Sequence, residues 1–185
     1  MVRLTRSRPL KNVREVAVDS LSRRALTHYE LETRLKEKGF ENSEIHETLE
    51  KLVKLGYLND QELALTVSQN RLKRYSRRRV IQDLQNRGLA PELIEEALEC
   101  NYSSHDEFQQ CLALAKQWWM REEKRWEQKV QAEKTKRSVP RELWLQQKVG
   151  QKLVQRGYPS DMVYNVLTQI QTIYNAEDEG YGARE

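Results

Sequence analysis

The chain has 185 residues, enough for one large domain or several small ones, and 32% of them are charged. Its mean hydropathy is −0.88, and no apolar run approaches the roughly 20 residues that span a bilayer, which excludes a helical membrane-embedded protein. The net charge of +4 is only a mild bias towards polyanions, so local charge clusters are more informative than the total.

Residue usage predicts an all-α protein. Leu, Glu, Lys, Arg and Gln dominate, and no run of alternating β-branched residues is present. The two cysteines, Cys100 and Cys111, have no partner at metal-ligand spacing and suit a reducing compartment as free thiols. The N-terminal stretch MVRLTRSRPLKN has no apolar core of a signal peptide, so we expect a cytoplasmic protein.

In chain order, residues 1–11 are predicted to form a flexible basic arm. Val13 to Leu21 come next and have the apolar spacing of a helix. Thr27 and Glu30 then form a capping-box pattern ahead of another helix. That helix opens the first of three segments that align without a gap, which run over residues 31–49, 80–98 and 149–167. The segments predict an internal repeat.

Each copy of the repeat has apolar residues at the same five positions and a glycine four residues after the second of them, at Gly39, Gly88 or Gly157. Two apolar residues four apart give one helix face, and the glycine suits the left-handed position that ends a helix. A start signal follows, at Asn42 or Ser43 in the first copy and at Pro91 in the second. Each copy is therefore predicted to be helix, glycine turn and helix.

A two-helix unit this short cannot bury both apolar faces, so we expect a further helix ahead of each copy. The stretch NDQELALTVSQNRL provides one, and residues 104 to about 130 provide a longer one. We expect Trp119 and Trp126, seven apart, to lie in the core, and Trp118 to be exposed for a partner. The predicted organisation is three tandem three-helix repeats over residues 12–58, 59–102 and 103–174, the third with a longer first helix and a polar linker, and then a disordered acidic tail over 175–185.

Six cations and no acid lie between Arg71 and Arg79, where one predicted helix ends and the next begins. Cations at a helix start oppose its dipole, at a cost of roughly a few tenths of a kcal/mol each, which favours a function over a merely solvated face. Arginine suits phosphate or carboxylate partners because its planar fork binds both. The members of this central basic cluster are Arg71, Lys73, Arg74, Arg77, Arg78 and Arg79.

Three further residues are candidates beside this cluster. Tyr75 lies among the cations and could stack on a base, although packing on its own repeat is the commoner role of such a residue. Arg23 and Arg24 border the first turn and could extend the same surface. Catalysis is not expected, because the three histidines are scattered and no phosphate loop or nucleophile motif is present, so no cofactor or metal is predicted.

The segment GYLNDQELA, from Gly56 to Ala64, follows LSRRALTHYELETRLKEKG and precedes RRRVIQDLQNRGL. Together with the Glu30-Leu31 pair and the three glycine turns, these residues resemble the RecX family of regulatory proteins over roughly residues 15 to 172. The resemblance implies an elongated, curved molecule of three tandem three-helix repeats. Two departures are Leu63, where the family usually has an aromatic residue, and the long charged stretch before the third repeat.

The resemblance also implies a function. RecX proteins bind filaments of the RecA recombinase on single-stranded DNA and restrain recombinase, ATPase and coprotease activities, so we expect a monomeric regulator in recombination and the SOS response. The alternative is a non-specific DNA-binding helical protein that acts without the recombinase, through single-stranded and more weakly duplex DNA. Sequence-specific duplex reading is disfavoured, because the second helices of the first two copies are distinctly acidic.

Overall fold

The computed structural model describes the backbone of residues 12–101, 104–133 and 139–181, and within these ranges the protein contains helices and no β-strand. The all-α prediction is confirmed, as is the tandem arrangement of three-helix repeats. No helix in the described part of the chain is long and apolar enough to cross a bilayer. The helices are α1 (Val13–Leu21), α2 (His28–Glu37), α3 (Asn42–Lys54), α4 (Asp60–Leu72), α5 (Arg77–Asn86), α6 (Pro91–Asn101), α7 (Ser104–Glu133), α8 (Arg141–Gln155) and α9 (Ser160–Tyr181).

The predicted helix ends follow local sequence closely. Thr27 forms both hydrogen bonds of the capping box with Glu30 at the start of α2. The backbone φ angles are +82° at Gly39, +77° at Gly88 and +90° at Gly157, so all three glycines adopt the left-handed conformation expected of them. The helix α3 begins at Asn42, one of the two predicted positions, but its N-cap residue is Glu41, which makes no side-chain capping bond.

The chain divides into two compact units. The N-terminal unit comprises residues 1–66 and 84–97, and the C-terminal unit comprises residues 67–83 and 98–185. In the N-terminal unit, α1, α2 and α3 pack around one apolar cluster, because each presents residues three or four positions apart on one face. Its buried members are Ala17, Leu26, Leu31, Leu35, Ile45, Leu49, Leu52 and Leu58.

In the C-terminal unit, α7, α8 and α9 pack around a second apolar cluster. Trp119 belongs to it as predicted, and Trp126 is half-buried with its ring 5.3 Å from that of Trp144. The prediction that Trp118 is exposed is wrong, since only 9% of it is accessible. Trp118 is a buried member of the same apolar cluster, and the cationic groups of Lys152 and Arg156 also lie over its ring, at 5.9 and 5.7 Å from its centroid.

The cysteines are free thiols. Cys100 is exposed, whereas Cys111 is buried in the C-terminal core, and its burial, with the nearby charge of Glu107, raises its pKa to about 12. Towards the C-terminus, α9 continues to Tyr181 and so runs through the first part of the segment predicted to be disordered. The predicted arm over residues 1–11 and most of the polar linker lie outside the described residues.

Tyr158 places a polar hydroxyl group in the apolar core of the C-terminal unit. It follows the left-handed Gly157 and packs into the core with 2% of its surface accessible. No described residue gives its hydroxyl a hydrogen-bond partner. Burying an unpaired hydroxyl costs about 1–3 kcal/mol. The equivalent position of the first repeat is Phe40, which has the same ring without the hydroxyl.

Replacing Tyr158 by phenylalanine is therefore expected to raise the free energy of unfolding of the C-terminal unit by about 1 kcal/mol. Urea unfolding followed by tryptophan fluorescence measures this change, because Trp118, Trp119, Trp126 and Trp144 all lie in that unit. Tyr164→Phe is the matched control, since Tyr164 is 71% exposed and its hydroxyl is hydrated in both folded and unfolded states. A loss of stability in Tyr158→Phe would contradict an unpaired hydroxyl.

Candidate nucleic-acid interface

The central basic cluster occupies the turn between α4 and α5 and lies wholly in the C-terminal unit. Ser76, fully buried, caps α5 by accepting a hydrogen bond from the backbone N–H of Arg79 at 3.2 Å. The first turn of α5 contains no acidic residue of its own. Glu107 of α7 compensates, because its carboxylate accepts a hydrogen bond from the Arg77 N–H at 2.8 Å and places a negative charge at this helix start.

Two cations of the cluster share one carboxylate. An Nη atom of Arg71 and the Nε of Arg79 lie 3.4 and 3.5 Å from the two oxygens of Asp83. Both arginine side chains remain almost half exposed, at 45% and 49%. Ion pairs this long and this hydrated contribute well under about 1 kcal/mol, so they hold the side chains only loosely.

Three other cations of the cluster carry uncompensated charge. Lys73, Arg74 and Arg78 are exposed, and no salt bridge joins any of them to a residue whose side chain the structure describes. They lie within six positions of one another around a capped turn. These three side chains are the part of the cluster that is open to an anionic partner.

Tyr75 packs against its own unit. The guanidinium carbons of Arg71 and Arg156 lie over its ring, at 5.1 and 4.6 Å from the centroid. Such cation–π contacts contribute roughly 0.5–1 kcal/mol each at partly exposed sites. Stacking of Tyr75 on a base stays a prediction, and it would require one of the two guanidinium groups to move.

Arg156 is a member of this surface that the sequence analysis missed. It caps the C-terminus of α8, and its backbone carbonyl accepts a hydrogen bond from the Ser76 N–H at 3.0 Å. Its guanidinium donates weakly to the Arg74 carbonyl at 3.5 Å and covers Tyr75. The available signal was the Arg-Gly pair, which ends the first helix of both the second and the third repeat copy, at Arg87-Gly88 and Arg156-Gly157.

Arg87 makes the corresponding contacts in the N-terminal unit. Its carbonyl accepts a hydrogen bond from the Thr27 hydroxyl at 2.6 Å, so the helix cap of one repeat again meets the Arg-Gly turn of the next. Its guanidinium donates to the Glu30 carboxylate at 2.9 and 3.1 Å. Burial alone would raise the pKa of Glu30, but hydrogen bonds from Arg87 and the Thr27 backbone, with the charges of Arg87 and Arg24, hold it below its usual 4.5.

The remaining site candidates, Arg23 and Arg24, belong to the N-terminal unit. Arg24 lies 3.2 Å from Glu30 and is 53% exposed, so part of its charge is directed at an internal carboxylate. Arg23 is exposed. In the described part of the chain, no group of three or more histidine, cysteine, aspartate or glutamate side chains is arranged to hold a metal ion.

Two family models match the chain in order. The model described as the first three-helix domain of RecX covers residues 14–52, and that of the second three-helix domain covers residues 59–98. A protein named Regulatory protein RecX from Legionella pneumophila is 26% identical over 159 residues, which are 85% of this chain and 94% of that protein. The RecX family is therefore the family that this chain resembles. The models cover α2, α4 and α5 completely and most of α1, α3 and α6, including the whole central basic cluster.

Other RecX proteins match over a shorter stretch. Regulatory protein RecX of Caldanaerobacter subterraneus is 36% identical over 98 residues, or 52% of this chain. The chain spans about half the length of this relative and of that from Deinococcus radiodurans, at 50% and 49%. The crystal structure of RecX from Lactobacillus salivarius aligns with a TM-score of 0.60 at 18% identity, over 86% of this chain and 95% of that one, which shows a shared fold.

Proposed function

We propose that this protein regulates RecA-type recombinase filaments on single-stranded DNA, mainly as an inhibitor, by binding along the filament groove. The resemblance described above implies this role for RecX proteins, with effects on recombinase, ATPase and coprotease activities in recombination and the SOS response. In this proposal the protein is a cytoplasmic monomer without a cofactor, and it acts by binding and not by catalysis.

The observation that carries the proposal is the open charge of Lys73, Arg74 and Arg78 on a structurally defined turn. The Ser76 cap and the carbonyl of Arg156 fix the backbone of this turn from two sides. A nucleoprotein filament presents phosphates and acidic side chains, and arginine can bind either class of anion through two parallel hydrogen bonds. Similarity to a regulatory family and an exposed cationic turn therefore support the same role.

Charge on the other exposed helices argues against reading of duplex sequence. On α3 the exposed residues include Glu44 and Glu47, and on α6 they include Glu92, Glu95 and Glu96. Recognition helices present Arg, Lys, Asn or Gln to base edges, and carboxylates at these positions would repel the flanking phosphates. Contact through the basic turn, independent of sequence, is the mode of nucleic-acid binding that fits this distribution.

ATP hydrolysis by RecA on single-stranded DNA, measured with increasing amounts of this protein, tests the proposal. We expect inhibition at amounts well below one molecule per recombinase subunit, because a filament regulator affects many subunits through few contacts. The alternative is a non-specific DNA-binding protein that acts without the recombinase. An effect only when the protein is abundant enough to coat the DNA, or no effect, would favour that alternative and contradict the proposal.

Simultaneous reversal of Lys73, Arg74 and Arg78 to glutamate is expected to weaken both filament inhibition and DNA affinity by at least about tenfold, because several phosphate contacts are lost together. The same ATPase titration measures inhibition, and fluorescence anisotropy of a labelled oligonucleotide measures affinity. The matched control reverses Lys36, Lys51 and Lys54, which are exposed in the N-terminal unit. The control changes the net charge by the same amount. Equal effects of the two triple variants would show that net charge matters and that the position of the three cations does not, which would contradict a role for the basic turn.

A further inference from the structure

Beside the central basic cluster, the C-terminal unit contains a polar groove of about 330 Å³ between α7 and α8. We call it the α7–α8 groove. Its walls carry four cations, of which Arg121 and Arg125 come from consecutive turns of α7, and Lys152 and Arg156 from the end of α8. Trp118 lines it together with Glu122, which is the one acidic residue in the lining.

Glu122 neutralises only part of this charge. It is 3% exposed, and its Oε1 accepts hydrogen bonds from Lys152 at 2.5 Å and Arg125 at 2.7 Å. Burial acts to raise its pKa, but the bond from Lys152 and the charges of Lys152 and Arg125 outweigh this and lower it. The carboxylate is therefore ionised at neutral pH and holds both cations through the same oxygen. Four positive charges against one negative charge leave the lining strongly positive.

We propose that the α7–α8 groove is a second phosphate-binding site, which holds the phosphodiester backbone of single-stranded nucleic acid next to the central basic cluster. The groove and the cluster are joined through Arg156, which lines the groove while its guanidinium contacts the Arg74 carbonyl and the Tyr75 ring. One strand passing over both would meet cations on the α4–α5 turn, at the end of α8 and on α7. This site deepens the proposed function and rests on it for its biological role.

The spacing of the cations favours a polyanion over an isolated carboxylate. Arg121 and Arg125 are four residues apart on one helix face, so their Cβ atoms are separated by about 5–6 Å. Arg156 and the central basic cluster add further positive groups, and the Arg156 guanidinium lies over the rings of Trp118 and Tyr75. Proteins that bind single strands without sequence preference combine a cationic groove along the backbone with aromatic side chains. A single acidic side chain of a protein partner would occupy only one of these positions.

A pair of single charge reversals on α7 tests the groove. Arg121→Glu changes a groove residue for which the described structure records no salt bridge, so the buried Glu122 keeps both of its partners. Lys124→Glu is the matched control, because Lys124 is an exposed residue of the same helix that does not line the groove. Affinity for labelled oligothymidylate is measured for both at several salt concentrations and without recombinase. Inhibition of RecA ATPase is measured in parallel.

We expect Arg121→Glu to weaken oligothymidylate binding about tenfold. The negative slope of log affinity against log salt should become less steep by about 0.7, which corresponds to the loss of one phosphate contact. Lys124→Glu should leave this slope unchanged. Equal slopes and affinities in the two variants would overturn the site. Loss of ATPase inhibition with unchanged oligonucleotide affinity would also overturn it, since the groove would then hold an acidic protein surface.

Two outcomes separate this site from the function on which it rests. Wild-type protein that fails to inhibit the recombinase contradicts the proposed function, yet the difference between the two variants on oligothymidylate still decides the groove. If the two variants bind oligothymidylate equally and both inhibit the RecA ATPase fully, the groove is contradicted as a binding site and the proposed function is unaffected. If Arg121→Glu unfolds, Arg121→Ala replaces it, with Lys124→Ala as control and the same slope as readout.

Discussion

Replacing Gly157 by alanine is expected to destabilise the C-terminal unit by about 3 kcal/mol, from two additive causes. The φ angle of +90° places the residue in the left-handed region, where a side chain costs roughly 1–2 kcal/mol. A Cβ atom here would also lie 2.6 Å from the Ser76 hydroxyl oxygen and 2.8 Å from Arg79 Cβ. Neither atom can withdraw freely, because one caps α5 and the other is attached directly to its backbone.

Gly88→Ala should have a similar effect on the N-terminal unit, since its φ is +77° and a Cβ would lie 2.3–2.5 Å from the ring and Cβ of Tyr29. Gly39→Ala is the matched control within the same unit. Gly39 has the same conformation, at +82°, with nothing within 4 Å of the added atom, so only the conformational cost of about 1 kcal/mol should appear. The N-terminal pair is compared by urea unfolding followed by far-UV circular dichroism, and Gly157→Ala by tryptophan fluorescence. Equal losses at Gly39 and Gly88 would contradict the close approach.

Replacing Arg87 by alanine is expected to cost the N-terminal unit about 2 kcal/mol, because the Glu30 carboxylate would lose its best partner while staying largely enclosed. The two side chains are only 20% and 18% exposed, and two of the arginine nitrogens contact the carboxylate. Arg24→Ala is the control on the same carboxylate. Arg24 is 53% exposed, so its removal should cost well under about 1 kcal/mol.

The same pair predicts a pH dependence with a definite sign. The pKa of Glu30 is lower in the folded protein than its ordinary 4.5, so folding favours the ionised carboxylate. Its contribution to stability is therefore fully present above pH 4.5 and is lost as the pH falls through the lower, folded-state pKa. Glu30→Gln should remove this part of the acid destabilisation. Unfolding free energies of wild type and Glu30→Gln, measured from neutral pH down to acid, should converge below pH 4.5. Parallel curves would exclude the pair as the cause.

The same contact occurs twice in the chain: an Arg-Gly turn packs against the helix cap of the preceding repeat. In the N-terminal unit, Arg87 contacts Thr27 and Glu30, and in the C-terminal unit Arg156 contacts Ser76 and Tyr75. In both, the glycine allows close approach and the arginine reaches back over the capped helix. The cap residues Thr27 and Ser76 thus serve two purposes, since each ends a loop and binds the next repeat.

Sequence alone determined the helices, the three-helix repeats and the left-handed glycines. These features depend on residues within about one or two helical turns, so spacing in the chain carries them directly. The capping box at Thr27 was predicted for the same reason, whereas the N-cap residue of α3 was not, because Glu41 makes no side-chain capping bond that a residue type could signal.

The tertiary structure alone decided which charges are engaged and which are open. Glu107, Asp83 and Arg156 reach the central basic cluster from other helices or from a later turn, and Arg156 meets Arg74 across 82 residues of chain. The burial of Trp118 likewise depends on the cluster that α7, α8 and α9 form together, and two cations from the end of α8 lie over its ring. Pairing over such distances leaves no periodic trace in a single sequence. The sequence therefore predicts a basic turn. Only the folded structure shows that the charges of Lys73, Arg74 and Arg78 are uncompensated and that the α7–α8 groove lies beside them.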